Sequence, residues 1–164
     1  MKVKVLAAAV ILSVAVAANI HAFGFGAQLN FMAAKKVFAP GASLVVSPTE
    51  TIHSALNWYM EKDDVNIIGL TVDMVPLNLE ITQFSVGILY FTLGGGLFTN
   101  IVLGDDDFGF NVGMRLPIGL SFRLMGHFEI YTHIAPSIGV DFAPNLEFST
   151  PFVPIALGLR FWTS

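Results

Sequence analysis

The sequence predicts an all-β fold, an eight-stranded antiparallel up-and-down transmembrane β-barrel, and three observations carry that prediction. In residues 108–124 (FGFNVGMRLPIGLSFRL) every even position is apolar, while the odd positions are small or polar and include Arg115 and Arg123. An alternation of period two marks a strand, and this one far outruns the roughly 5–6 residues of an ordinary globular strand. The chain is also 54% apolar and only 12% charged, against about 25% charged in soluble domains. Finally, beyond residue 22 no stretch reaches eighteen apolar residues without a polar, Gly or Pro interruption, so strands and not helices are left to meet lipid.

The first residues form a separate unit. Lys2 and Lys4 precede an apolar run over 5–18, and Asn19-Ile20-His21-Ala22 follows. A charged start, a short apolar middle and a small residue at the end describe a signal peptide over 1–22, leaving 23–164 as the barrel domain. Cleavage after Ala22 puts Ile20 at the −3 position. The apolar run falls short of the roughly 20 residues of a spanning helix.

In the mature chain the first strand is read at 23–32, with Phe23, Phe25, Ala27, Leu29 and Phe31 on one face. Lys35, Lys36 and Pro40-Gly41 mark a loop over 33–41, and a short second strand follows at 42–47. Residues 52–60 alternate Ile52, Ser54, Leu56, Trp58 and Met60 against His53, Ala55, Asn57 and Tyr59. A charged loop with Glu61, Asp63 and Asp64 leads into strand four at 65–75, and 76–83 reads as a turn. Strand five covers 84–98, with a bulge expected between Ile88 and Phe91 where the parity slips. Asp105, Asp106 and Asp107 form a second acidic loop before the long strand at 108–124. Strand seven is read at 127–141 and the last at 152–162, joined by a loop at 143–151. Eight is an even count, as single-chain bacterial barrels have. With the N-terminus inside, both acidic loops fall on the outer side.

The two faces of these strands differ in a way that favours lipid over water outside. The non-apolar face is mostly Gly, Ser, Asn and Ala, which suits the crowded inside of a small barrel. A soluble exterior would carry Lys and Glu. Aromatic residues near strand ends, Phe23, Trp58, Phe84, Phe128, Phe142, Phe152, Phe161 and Trp162, are candidates for the interfacial girdles. The polar residues expected in the lumen are Asp73, Arg115, Arg123, Glu129, Tyr131, His133, Asp141 and Arg160. An eight-stranded interior is just wide enough for side chains to fill. Enclosed charges must pair, so this set reads as a structural ion-pair network. Its sharper alternative is a narrow pore gated at Glu129 or His133.

Several function classes are excluded or disfavoured. Without cysteine there is no disulfide, thiol chemistry or zinc-thiolate site. Removal of Lys2 and Lys4 leaves six basic residues against twelve acidic ones, a net of −6, and nucleic acid is a poor partner for it. No Gly-x-Ser-x-Gly, His-Glu-x-x-His or phosphate loop occurs, so no catalytic residue, metal ligand or cofactor is assigned.

Residues 84–164 resemble a family of small bacterial outer-membrane β-barrel proteins found in spirochaetes and other Gram-negative groups. The carriers are Tyr90-Phe91-Thr92-Leu93-Gly94-Gly95-Gly96, Phe108-Gly109-Phe110, and Arg115-Leu116-Pro117-Ile118-Gly119-Leu120-Ser121. Phe128-Glu129-Ile130, Ile134-Ala135-Pro136-Ser137 and Gly158-Leu159-Arg160-Phe161 complete them. The resemblance implies a barrel similar to those of outer-membrane proteins A and X, mostly without an assigned activity. It also implies membrane lipid and the outer-membrane assembly machinery as partners, with an extracellular or host protein as a further one. Family barrels end on an aromatic residue, whereas Thr163 and Ser164 follow Trp162 here. The sequence reading is therefore a monomeric, non-enzymatic outer-membrane barrel with a filled polar lumen. Its exposed loops fall near 33–41, 61–65, 99–107 and 143–151. A narrow pore is the alternative, and an exported soluble lipocalin-like barrel binding an apolar ligand is the second.

Overall fold

Along each strand one parity of residues turns outward and the other inward, and the strands join edge to edge until the sheet closes. The computed structural model of the chain describes residues 22–34, 37–60, 65–104, 108–143 and 146–163. Its strands are β1 (Phe23–Ala34), β2 (Val37–Ser47), β3 (Ile52–Met60), β4 (Asn66–Phe84), β5 (Gly87–Leu103) and β6 (Phe108–Arg115). They continue with β7 (Ile118–Leu124), β8 (Phe128–Ile134), β9 (Ser137–Ala143), β10 (Glu147–Phe148) and β11 (Val153–Thr163). Leu116-Pro117 separates β6 from β7 and Ala135-Pro136 separates β8 from β9, because proline has no N–H for the ladder. Their carbonyls are still used: Pro117 accepts from Gly94 and Pro136 from Leu116. The pairs β6–β7, β8–β9 and β10–β11 are each one crossing, which makes eight.

Sequential neighbours pair antiparallel, and β1 closes the ring on β11 from Phe23 against Thr163 to Ala33 against Val153. The closure is staggered. A path taken straight across the strands from Phe84 runs through Gly87, Leu124, Phe128, Phe161, Phe25, Val46 and Ser54. It returns to β4 at Val72, twelve residues from where it began. Closing a sheet requires such a stagger, with the strands tilted to the barrel axis.

Several expected boundaries move. Pro40-Gly41 lies inside β2, paired with Phe31 and Asn30, and β1 runs on to Ala34. Residues 76–83 belong to β4, and the actual turn is Ser85-Val86. β5 accordingly runs from Gly87 to Leu103, and residues 99–103 are strand where a loop was expected. The expected irregularity falls on the facing strand: β4 is bulged between Met74 and Leu77 and again between Glu80 and Thr82. The extra residue there changes the pairing without changing the alternation of Leu89, Tyr90 and Phe91, so the sequence of β5 alone assigns it wrongly. Of the signal-peptide reading over 1–22 all but Ala22 lies outside the described residues, as do the acidic stretches 61–64 and 105–107, Lys35 and Lys36.

Burial is inverted relative to a soluble protein. Among the described residues fourteen polar or charged side chains are buried, as are thirteen apolar or aromatic ones, while thirty-five large apolar residues stand exposed. Leu29, Leu44 and Leu157 are 57%, 68% and 54% exposed at mid-strand. Soluble monomers do not present an apolar surface of that extent. A soluble lipocalin-like barrel is thus set aside, since its apolar face would be the inner one. The girdle assignment holds outward for Trp58, Phe84, Phe128 and Phe142, but Phe152 and Trp162 are buried inside at 8% and 4% exposure.

This arrangement predicts that Leu29→Arg costs about 2–4 kcal/mol of folding stability in lipid vesicles, measured by denaturant unfolding. On a water-facing surface the same change is close to neutral, and that result would contradict the outward assignment.

Candidate functional site

The lumen is the only place where this fold gathers polar chemistry among the described residues, and its contents come in three layers. At the end bearing the β3–β4 and β5–β6 connections, Met32, Ala39, Tyr59, Ile67, Phe98 and Phe152 form a buried apolar cluster. The Phe98 and Phe152 rings meet edge to face at 5.2 Å between centroids. Sequence reading expected a polar lumen throughout. Ile67 and Phe98 are inward here because each has the parity opposite to that of an outward neighbour, Ile68 and Leu97.

The middle layer is a chain of amides and hydroxyls running around the inner wall. Gln28 Nε2 donates to Asn30 Oδ1 at 2.8 Å, Asn30 donates to Ser43 Oγ, and Ser43 Oγ donates to Asn57 Oδ1 at 2.7 Å. At the other end of the chain, Tyr131 donates its hydroxyl proton to Gln28 Oε1 at 2.9 Å. Tyr131 on β8 reaches Gln28 on β1 across β11, and it passes over Gly158. A Cβ at Gly158 would sit 2.3 Å from the tyrosine ring. None of Gln28, Asn30, Ser43 and Asn57 was singled out from the sequence, although each has the inward parity.

The third layer holds the charges. Asp73 Oδ1 lies 3.2 Å from Arg115 Nε, an ion pair without a directed hydrogen bond between these two atoms. Asp73 and Arg115 are not on adjacent strands. Gly96 of β5 stands between them in register, and a Cβ there would come within 2.0 Å of Asp73 Oδ1. The missing side chain is what lets the carboxylate cross β5. Arg115 Nη2 lies 3.1 Å from His133 Nε2. Guanidinium has donors only, so His133 accepts at Nε2.

Glu129 is the most heavily used group. It accepts from Ser121 Oγ, from Trp162 Nε1 at 2.6 Å, and pairs with Arg160 Nη1 at 3.4 Å. The Arg160 guanidinium lies over the Tyr131 ring at 4.5 Å and donates to His53 Nδ1 at 3.0 Å. His53 Nδ1 also lies 2.9 Å from Ser47 Oγ. At the mouth, Arg123 pairs with Glu50 of the β2–β3 turn at 2.9 Å and stacks on Trp162 at 5.2 Å. A cavity of about 120 Å³ remains among these groups, lined by Asp73, Arg115, Glu129, His133 and Arg160. That is space for a few waters.

Of the eight expected lumen residues, Asp73, Arg115, Arg123, Glu129, Tyr131, His133 and Arg160 share this layer. Asp141 stands apart near the opposite end, where Ser149 Oγ donates to it at 2.6 Å. His53, Glu50 and Trp162 were missed. Trp162 shares the parity of Arg160, and that signal was sufficient to place it inside. Among the described residues no group of three or more His, Asp or Glu side chains converges on a metal position. Most of the enclosed charged groups are paired with one another, an arrangement that can hold charge and register.

The fold defines a closed transmembrane β-barrel. Among solved structures it is similar to Neisserial surface protein A, with a TM-score of 0.50 at 13% identity over 85% of this chain and 95% of that one. The attachment invasion locus protein Ail of Yersinia pestis matches more loosely, with a TM-score of 0.43 at 13% identity over 87% and 97% of the two chains. The N-terminal β-barrel domain of Pseudomonas aeruginosa OprF gives 0.43 at 13% over 88% and 98%. At such identities the likeness is one of fold, that of eight-stranded outer-membrane barrels. The spirochaetal side of the sequence resemblance gains nothing from it. No family model matches the chain, and no curated protein matches it.

Removing one member of the buried network should cost far more than removing a matched pair. Glu129→Ala is expected to lose about 3–5 kcal/mol by stranding Arg160, whereas adding Arg160→Met should restore part of that loss. Chemical unfolding of the four proteins in detergent measures the coupling, and additive costs would contradict it.

Proposed function

We propose that this chain is an integral outer-membrane protein, exported by a leader over residues 1–22, with a structural or surface-interaction role and no catalysis. The observation that carries the reading is the occlusion of the lumen. An apolar cluster around Phe98 and Phe152 fills one end, and the Asp73–Arg115 and Glu129–Arg160 pairs line the wall toward the other.

The orientation follows from the ends. Phe23 and Thr163 pair at the end that also bears the short turns 48–51, 85–86 and 125–127. With the N-terminus inside, as read from the sequence, this end is the periplasmic one. The opposite end carries the connections containing Glu61, Asp63, Asp64, Asp105, Asp106 and Asp107, which are the segments available to an extracellular or host protein. Lipid covers the outward belt, and the assembly machinery is the partner during insertion, reading the terminal strand with Phe161.

The competing reading is a narrow pore, and the cavity of about 120 Å³ beside Arg115 and Glu129 is its one support. Planar bilayers distinguish the two. The native protein is expected to give no discrete conductance steps, and Phe98→Ala combined with Phe152→Ala should raise leak. Reproducible steps in the native protein, diminished by Arg115→Ala or Glu129→Gln, would establish the pore and overturn the sealed barrel.

A further inference from the structure

The outward face of the barrel is large and apolar over most of β1, β2 and β11, but Ala27 and Ala42 interrupt it, both exposed. In register Ala27 faces Leu44 and Ala42 faces Leu29, so the two alanines lie on one diagonal of the β1–β2 ladder. A strand spacing of about 4.8 Å against a two-residue rise of about 6.7 Å turns that diagonal about 36° from the strands. Strands in a closed barrel tilt by about 35–45°. The path across the strands climbs from β1 to β2 toward the end bearing the β3–β4 connection, and Ala42 lies two residues beyond Leu44 the same way. The alanine diagonal therefore runs along the barrel axis. Leu29 and Leu159 wall it on one side, Leu44 and Leu56 on the other. The result is an apolar groove of about 690 Å³. Below, it meets a second hollow of about 440 Å³, since Ala27, Ile130 and Leu159 line both. Trp58 stands at the upper end, its Nε1 donating to Asn66 Oδ1 at 3.0 Å.

We propose that this groove holds one straight, saturated acyl chain of a lipid whose headgroup lies in the outer leaflet. The groove is continuous with the belt that meets lipid, and it runs in the direction acyl chains take through a bilayer. No charged side chain lines it, and Gln28 and Ser43 turn their polar groups into the lumen, so it accepts hydrocarbon and not a headgroup. It is one side chain wide, because its walls are the ladder neighbours of its floor. A helix, about 10–12 Å across with its side chains, is too broad to enter. A kinked, unsaturated chain leaves a straight groove part-way along. What a seated chain gains is packing: over Ala27 and Ala42 it makes contacts that leucine tips deny to lipid elsewhere on the belt. Trp58 sets the leaflet. An amphipathic ring with its N–H hydrogen-bonded is an interfacial anchor, and Trp58 lies toward the end opposite the termini. The site rests on the outer-membrane reading only in requiring lipid around the belt, and it is independent of whether the lumen conducts.

Trp58 makes the test direct, since the other tryptophan, Trp162, is buried in the lumen. The barrel is reconstituted in vesicles of a phosphatidylcholine brominated along its chains, which quenches Trp58 on contact. Adding a small fraction of an unlabelled saturated phosphatidylcholine is expected to relieve the quenching about threefold more than its share of the lipid, the size of preference that a handful of extra contacts confers. Ala27→Leu combined with Ala42→Leu fills the groove and should reduce the relief to that share. Val72→Leu, outward on β4, should leave the excess unchanged. Ala42→Leu alone carries the test if the double variant does not fold. Relief in proportion to the lipid's share in the native barrel, or an excess that survives filling of the groove, would overturn the proposal. So would a Trp58 that the brominated lipid does not quench, because a second copy covers the groove or because the chain lies outside the bilayer. Flotation of the protein with the vesicles tells those two apart.

Discussion

Backbone N–H and C=O groups find no water in the core of a bilayer, and most of this structure answers that one constraint. An open sheet leaves two rows of them bare, whereas a closed ring pairs them wherever two strands run side by side. Closure is made by β1 on β11, and it forces the strands into a stagger of twelve residues per circuit. The stagger in turn sets which inward side chains share a level. That is why Tyr131 of β8 meets Gln28 of β1, and why Arg160 of β11 meets His53 of β3.

Closing eight strands also makes the interior narrow, and the energetics of the lumen follow from that. Buried charges are costly unless paired and hydrogen-bonded, so Glu129 is wrapped by Ser121, Trp162 and Arg160. Long polar side chains need room to lie across a neighbouring strand, and Gly96 and Gly158 provide it. The glycine-rich inner face is therefore not slack in the design. It is the space into which the Asp73 and Tyr131 side chains extend. Where charges give way to Met32, Phe98 and Phe152, the same narrowness brings apolar side chains together in a buried cluster.

Alternation made the fold legible in the sequence, because parity separates lipid from lumen with no knowledge of neighbours. It identified eight crossings and brought seven of eight expected lumen residues into one layer. What it could not supply was cross-strand information. Pro40, Gly41 and Pro76 read as turn residues by type alone, whereas Pro40 and Gly41 pair with Phe31 and Asn30 and Pro76 sits at the bulge between Met74 and Leu77. The bulges of β4 were sought on β5 because a bulge is a property of a pair and not of one strand. Chemistry alone makes Trp162 and Phe152 girdle candidates, against the parity that sends Trp162 inward beside Arg160.

The central claim is that these strands form one closed barrel with lipid outside and a packed lumen. Gel mobility of the unheated and boiled protein, extracted from the outer-membrane fraction, tests it most directly. A closed barrel stays folded in detergent until boiled, so the account predicts a heat-dependent shift in mobility together with β-rich circular dichroism before heating. Recovery of the protein in the detergent-free soluble fraction, with no change of mobility on boiling, would contradict it.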